Sequence, residues 1–297
     1  MDIALTLVVN PEHDTSLNLA EQTVREHLST STIGSTILAP KHALDLFIEA
    51  TDVDKIKKTI SSPLNALQGL DWVLQPTVGR KKKLILADMD STMITVECID
   101  ELADFIGMKE QVSAITEAAM RGELDFEGAL TERVALLEGL TESQLKSCYD
   151  DRIALMGGAR KLVQTMKAHG SYAALVSGGF TYFTDQVADA IGFDMHRANV
   201  LEIKDGVLTG KVVPPICGAE TKLATLQELA SCHGLERSDI LAVGDGANDI
   251  PMIEGASLGV AYRAKPITRK AASAAITYND LTALLYFQGY KAEEFKA

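Results

Sequence analysis

The stretch Leu84-Ile85-Leu86-Ala87-Asp88-Met89-Asp90-Ser91-Thr92 decides the fold. Four apolar residues end abruptly in two aspartates one residue apart. A short continuous apolar run of this kind is the pattern of a strand buried on both faces, as in a parallel α/β sheet. Ligands of such sheets gather at the carboxyl ends of the strands. Asp88 and Asp90 are therefore placed where a nucleophile, an acid/base or a cation ligand belongs. Alone, an Asp-x-Asp after a strand is also compatible with a polar turn.

Further along, the pattern repeats. Tyr172–Val176, Ile240–Val243, Leu258–Ala261 and Ala275–Thr277 read as strands separated by helical stretches. Ser177-Gly178-Gly179-Phe180 follows one of them and offers a hydroxyl and bare backbone N–H groups, a cradle for phosphate oxygens. Gly244-Asp245-Gly246-Ala247-Asn248-Asp249 follows another and brings three polar side chains to a tight turn. Lys222 lies at the start of a helix after Gly218. Asp88, Asp90, Asp245 and Asp249 at one sheet edge would crowd four carboxylates, which a cation must hold ionised. All-oxygen ligands at a phosphate site favour Mg²⁺. No His/Cys cluster has zinc spacing, and the methionines, Met120 and Met156 included, read as packing, although Met120 could touch a substrate pocket.

Between the first two strands lies a run of helix formers, about residues 95–156, with no strand pattern. It is too long for a single crossover and reads as a helical cap. Residues 199–213 read as a short insertion, a hairpin turning at Asp205-Gly206. Residues 1–76 have the order βαββαβ, a small α+β unit with Trp72 in its core. Pro76 and Gly79 interrupt it, and the basic run Arg80-Lys81-Lys82-Lys83 reads as a solvated linker over 77–83. The expected architecture is thus α/β, a Rossmann-like parallel sheet with a helical cap insertion over 84–297, preceded by the α+β unit.

The chain has 297 residues, 46% apolar and 23% charged, which fits a folded protein of about two domains. Its net charge of −13 argues against a nucleic-acid partner. The charge is −4 over residues 1–80 (6 basic, 10 acidic) and −9 beyond (22 basic, 31 acidic), so neither part is a basic arm. No run reaches the ~18–20 apolar residues of a spanning helix, and Met1-Asp2 opens no export signal. Four scattered cysteines (Cys98, Cys148, Cys217, Cys232) suit a reducing, cytoplasmic setting. The six histidines share no spacing.

The set Asp-x-Asp-x-Thr, Ser-Gly-Gly, Lys and Gly-Asp-Gly-x-Asn-Asp resembles the haloacid dehalogenase (HAD) superfamily of aspartate-nucleophile phosphohydrolases. Within it the closer resemblance, over Lys83 to the C-terminus, is to the members that cleave O-phospho-L-serine, the last step of L-serine synthesis. Asp-Met-Asp-Ser-Thr, Glu97 nine residues after Asp88, and an arginine in the cap carry that closer match. The resemblance implies Asp88 as nucleophile and Asp90 as general acid/base. It implies Mg²⁺ on Asp88, Asp245 and the Asp90 carbonyl, with Asp249 orienting Lys222 or a metal-bound water. Ser177, Gly178, Gly179, Lys222 and Asn248 would hold the phosphoryl group. Glu97, Arg133 and Phe126 would bind the serine ammonium, carboxylate and body. A phosphotransferase sharing the aspartyl-phosphate remains an alternative, as does a binding protein with a vestigial phosphatase fold. The N-terminal order is similar to ACT-type units, which implies regulation by an amino acid or a homodimer.

Overall fold

The computed structural model describes residues 2–28, 32–49, 52–120 and 125–296. The N-terminal unit runs β1 (Asp2–Val9), α1 (Leu17–His27), β2 (Thr32–Ala39), β3 (Ala43–Glu49), α2 (Val53–Asn65) and β4 (Leu70–Pro76). That is the βαββαβ order expected from the sequence. Its strands pair antiparallel in the order β2-β3-β1-β4. Ser16 and Asp52 cap the two helices, each accepting from the backbone N–H three residues on. Trp72 is half-buried against this unit's core, and its indole N–H donates to Asn65 Oδ1 at 2.9 Å.

The second part contains β5 (Leu84–Ala87), four cap helices, α7 (Ala159–Ala168), β6 (Tyr172–Phe180), α8 (Thr181–Ile191) and the hairpin β7 (Met195–Lys204) and β8 (Val207–Val213). Then come α9 (Ala219–Cys232), β9 (Ile240–Gly244), α10 (Ile250–Gly255), β10 (Leu258–Tyr262), α11 (Pro266–Ala271), β11 (Ala274–Ile276) and α12 (Ala283–Phe287). Strands β11-β10-β9-β5-β6-β7 are parallel. Their side chains alternate between two cores. Ile85, Ala87, Leu175, Leu241 and Val243 pack on one face, and Leu84, Leu86, Val176, Ile240 and Ala242 on the other. Both faces are covered by helices, which is why β5 and β9 read as unbroken apolar runs.

The cap consists of α3 (Cys98–Phe105), α4 (Lys109–Met120), α5 (Phe126–Ala135) and α6 (Glu142–Arg152). It joins the sheet through a two-chain root, where Met156 N–H donates to Met93 O at 2.8 Å and Thr95 N–H to Ala154 O at 3.0 Å. The hairpin turns at Asp205-Gly206, both at positive φ, as the Asp-Gly pair requires. It props the cap, since Leu208 exchanges main-chain hydrogen bonds with Gly139 and Leu140. The expected insertion at 199–213 needs correction. Its first strand begins at Met195 and joins the parallel sheet beside β6 before it turns. No helix among the described residues is long and apolar enough to cross a membrane.

The expectation of a solvated basic linker is also corrected. The run alternates like a strand: Lys81 and Lys83 point out, whereas Arg80 and Lys82 are only 8% and 6% exposed. Arg80 grips Asp45 of β3 with its two terminal guanidinium nitrogens, at 2.7 and 2.9 Å, and also donates to Thr6 Oγ1 and Phe287 O. Lys82 donates to Gly79 O, Ser238 O and Ser257 Oγ, and burial lowers its pKa to about 8. On the other side, Asp71 of β4 accepts from the backbone N–H groups of Thr277, Tyr278 and Asn279. Among the described residues, one bridge, Trp72 to Ala275, joins the two parts into an eleven-stranded sheet. The loop held by Asp71 continues to Leu281, whose N–H donates to Gly157 O beside the cap root. The N-terminal unit is thereby fastened to the segment from which the cap springs.

Removing one partner from a buried ion pair strands the other charge. Arg80→Met is expected to lower unfolding free energy by about 3–5 kcal/mol in urea denaturation. A loss below about 1 kcal/mol, the range of exposed pairs, would show that this pair is solvated after all.

Candidate active site

Strand β5 lies between β9 and β6, all parallel, so their carboxyl ends open side by side. Asp88 leaves β5 with its N–H on Val243 O at 3.0 Å, which registers the two acidic loops against each other. Lys222, on the first turn of α9, reaches the same point. Its Nζ donates to Asp88 Oδ1 and to Asp249 Oδ1, both at 2.6 Å. Lys222 and Asp249 are fully buried and Asp88 is nearly so. The other Asp249 oxygen accepts from the backbone N–H groups of Asp245 and Gly246, at 3.1 and 2.9 Å. Asp249 thus holds both the lysine and the loop that presents Asp245.

Three carboxylates meet here. Asp88, Asp245 and Asp249 each offer an oxygen within 4.8 Å of the others. One ammonium cannot balance three carboxylates. Burial and then the Asp249 charge push Asp88 well above the usual carboxylate range, against the pull of Lys222. Burial, Asp249 and Glu97 raise Asp245 to about 7. For Lys222, burial works against the charge, but Asp249 and Asp88 outweigh it and hold the ammonium protonated. A divalent cation among these oxygens would relieve the excess negative charge, and an all-carboxylate donor set fits a hard ion. The expected ligands Asp88 and Asp245 belong to this group. Asp249 joins them, while the Asp90 carboxylate lies outside it.

Asp90 is buried beside the cap. The Cys98 N–H, at the first position of α3, donates to its Oδ1 at 3.4 Å. Burial first, and then the Glu97 charge, raise its pKa to about 7. The Ser177-Gly178-Gly179 loop lies against Asp90. A Cβ on Gly179 would stand 2.8 Å from Asp90 Oδ2 and 3.1 Å from Ser177 Oγ, so only glycine lets the loop approach. Ser177 Oγ accepts from Gly179 N–H at 2.9 Å.

The cap supplies the remaining expected residues. Phe126 lies across the two loops: a Cβ on Gly178 or on Gly218 would meet its ring at 3.3 Å. Asn248 borders Gly178 from the other side, its Nδ2 3.8 Å from the same Cβ position. Glu97 is exposed at the head of α3 and accepts from Ser91 Oγ at 2.6 Å. Ser91 itself has φ of 55°, part of the tight turn that folds the chain back over Asp90. Arg133 is half-buried on α5, its Nε donating to Ala129 O at 3.1 Å. Burial lowers its pKa, while Asp100, Glu97 and Asp90 act on it as neighbouring carboxylates. An anion and a cation therefore face the acidic edge from the cap. The side chain of Met120 lies outside the described residues.

Sequence reasoning missed Asn199. It is wholly buried on β7, and its side-chain amide hydrogen-bonds the main chain at Gly178 and Cys217. The one available signal was an asparagine within a β-type run.

The family model described as haloacid dehalogenase-like hydrolase matches residues 85–254. A phosphoserine phosphatase of Albidiferax ferrireducens is 49% identical over 208 residues, 68% of this chain and 88% of that protein. A HAD family hydrolase from Salmonella enterica serovar Typhi superposes with a TM-score of 0.87 at 31% identity, covering 96% of this chain and 98% of that one. A solved phospho-aspartyl intermediate analogue of phosphoserine phosphatase is 40% identical, with a TM-score of 0.65 over 70% of this chain and 99% of that one. With the family model spanning more than half of it, the chain belongs to the haloacid dehalogenase-like hydrolases.

Proposed function

We propose that this chain is a phosphoserine phosphatase, which hydrolyses O-phospho-L-serine to L-serine and phosphate as the last step of L-serine synthesis. The observation that carries this reading is Asp88 held by the buried Lys222 at the end of β5, beneath a cap that offers Glu97 and Arg133. The 49% identity to a phosphoserine phosphatase supports the substrate.

In this reading an Asp88 oxygen attacks phosphorus, the new O–P bond forms, and the bond from phosphorus to the seryl oxygen breaks. Asp90 gives its proton to that departing oxygen. Its pKa near 7 leaves it a proton to give. A water then attacks phosphorus, Asp90 takes a proton from it, and the Asp88–phosphorus bond breaks. Carboxylate attack splits one hard displacement into two easier ones. Lys222, Ser177, the Gly178 and Gly179 backbone and Asn248 hold the phosphoryl oxygens as charge shifts among them. A magnesium ion on Asp88, Asp245 and the Asp90 main-chain carbonyl would supply the positive charge that lets a carboxylate approach a phosphate dianion. Asp249 holds Lys222 in place.

The leaving group is recognised by the cap. Arg133 meets the serine carboxylate, where a planar guanidinium can bond both oxygens. Glu97 meets the ammonium, and Phe126 walls the pocket. A closed cap keeps water from the phosphoryl group and admits only small esters. We read residues 1–76 as an ACT-like regulatory or dimerisation unit, 77–83 as its connection and 84–297 as the phosphatase domain, and the protein as a homodimer. Four free cysteines, three of them buried, support a reducing cytoplasm.

Phosphate release from O-phospho-L-serine, beside a panel of sugar and aryl phosphates, tests the assignment. Fast release with Mg²⁺, abolished by EDTA and selective for phosphoserine, is expected. Release from the other esters alone would leave the aspartate chemistry and overturn the substrate. Arg133→Ala is expected to raise KM for phosphoserine at least tenfold, a loss of about 1.4 kcal/mol or more, and to leave an aryl phosphate unaffected. Equal losses on both substrates would move Arg133 out of the leaving-group pocket.

A further inference from the structure

Strand β6 leaves the sheet just where the phosphoryl cradle begins. Its pairing with β7 is regular as far as Val176 opposite Arg197. The next pair is Phe180 opposite Asn199, so β6 advances four residues while β7 advances two. The surplus is the Ser177-Gly178-Gly179 loop, bulged out toward Asp90. A bulge leaves main-chain groups without ladder partners, and a buried carbonyl needs one.

Asn199 supplies it. Its Nδ2 donates to Gly178 O at 2.8 Å. The same amide turns to a second segment: Oδ1 accepts from Cys217 N–H at 2.7 Å and Nδ2 donates to Cys217 O at 3.3 Å. Cys217 precedes Gly218, the N-cap of α9, and Gly218 O accepts the first-turn N–H of Lys222 at 3.1 Å. One fully buried side chain therefore ties the loop that carries Ser177 and Gly178 to the helix that carries Lys222. These two segments come from different crossovers and share no strand. Only asparagine fits this task at this length. Aspartate would set a buried negative charge against two carbonyl oxygens, and leucine would leave all three main-chain groups unpaired.

We infer that Asn199 is a positioning residue for phosphoryl transfer: it fixes the spacing between the Ser177–Gly178 cradle and Lys222. This rests on the reading of those groups as the phosphoryl site. Asn199 touches neither substrate nor nucleophile and acts through the two segments it joins. Because it sets the cradle and not the serine pocket, its loss must weaken all phosphate esters alike.

Asn199→Ser, which keeps a hydroxyl, and Asn199→Leu, which keeps the volume, test this in the full chain. Each is assayed on O-phospho-L-serine and on p-nitrophenyl phosphate, with calorimetric binding of inorganic phosphate in Mg²⁺ as an independent readout. The expected result is a fall in kcat of about 10- to 100-fold on both esters, with their ratio unchanged and phosphate bound more weakly. Asn199→Ser is expected to be the milder of the two. A folded variant with kcat within about twofold of the parent on both esters would overturn the proposal. So would a loss confined to phosphoserine, or the failure of both variants to fold. A parent protein active on the aryl ester alone would sink the serine reading instead, while the comparison on that ester would still decide the role of Asn199.

Discussion

The Lys222 ammonium, shared between Asp88 and Asp249 at 2.6 Å each, is the interaction around which the catalytic end is built. Three carboxylates converge within 4.8 Å in a buried setting, an arrangement that repels itself. The lysine offsets part of that charge from inside, where it is fully buried. The excess that remains is what a divalent cation among these oxygens would relieve. This division holds one Asp88 oxygen still, while burial and the Asp249 charge still push its carboxyl well above the usual carboxylate range.

Everything larger serves to keep that arrangement in place. The parallel order of β9, β5 and β6 puts the acidic loops and the Ser177 loop side by side. The two apolar faces of the sheet make its strand ends rigid, since close-packed interiors transmit rather than absorb displacement. The cap brings Phe126, Glu97 and Arg133 to the same edge and roots in two short chains beside Gly157. The N-terminal unit is joined to that root through Asp71 and to the linker through Arg80 and Asp45.

Much of this was legible in the sequence, for physical reasons. Strands buried on both faces announce themselves as apolar runs, so β5, β9 and β10 stood out, and with β5 and β9 the aspartates that follow them. A strandless stretch too long for a crossover identified the cap. The failures have equally specific causes. Arg80 and Lys82 read in sequence as part of one solvated run, but alternate residues of an extended chain face opposite sides, and Asp45 lies thirty-five residues upstream. The parallel half of β7, Met195-His196-Arg197, is half-exposed and carries no apolar run. Asn199 bonds only to main-chain atoms, which no motif displays. The resemblance implies Asp249 as orienting Lys222 or a metal-bound water, yet its bonds to the Asp245 and Gly246 N–H groups follow from a turn geometry that residue types alone do not specify.

The most direct measurement is to find the phosphoryl group. The protein is quenched in acid during turnover of O-phospho-L-serine with Mg²⁺ and treated with borohydride, which reduces an aspartyl-phosphate to homoserine. Peptide mass spectrometry then locates the change. Homoserine is expected at position 88 and at no other acidic residue, absent without substrate and absent in Asp88→Asn. Phosphate release in normal amounts with residue 88 unmodified, or with the mark at Asp90, Asp245 or Asp249, would contradict it.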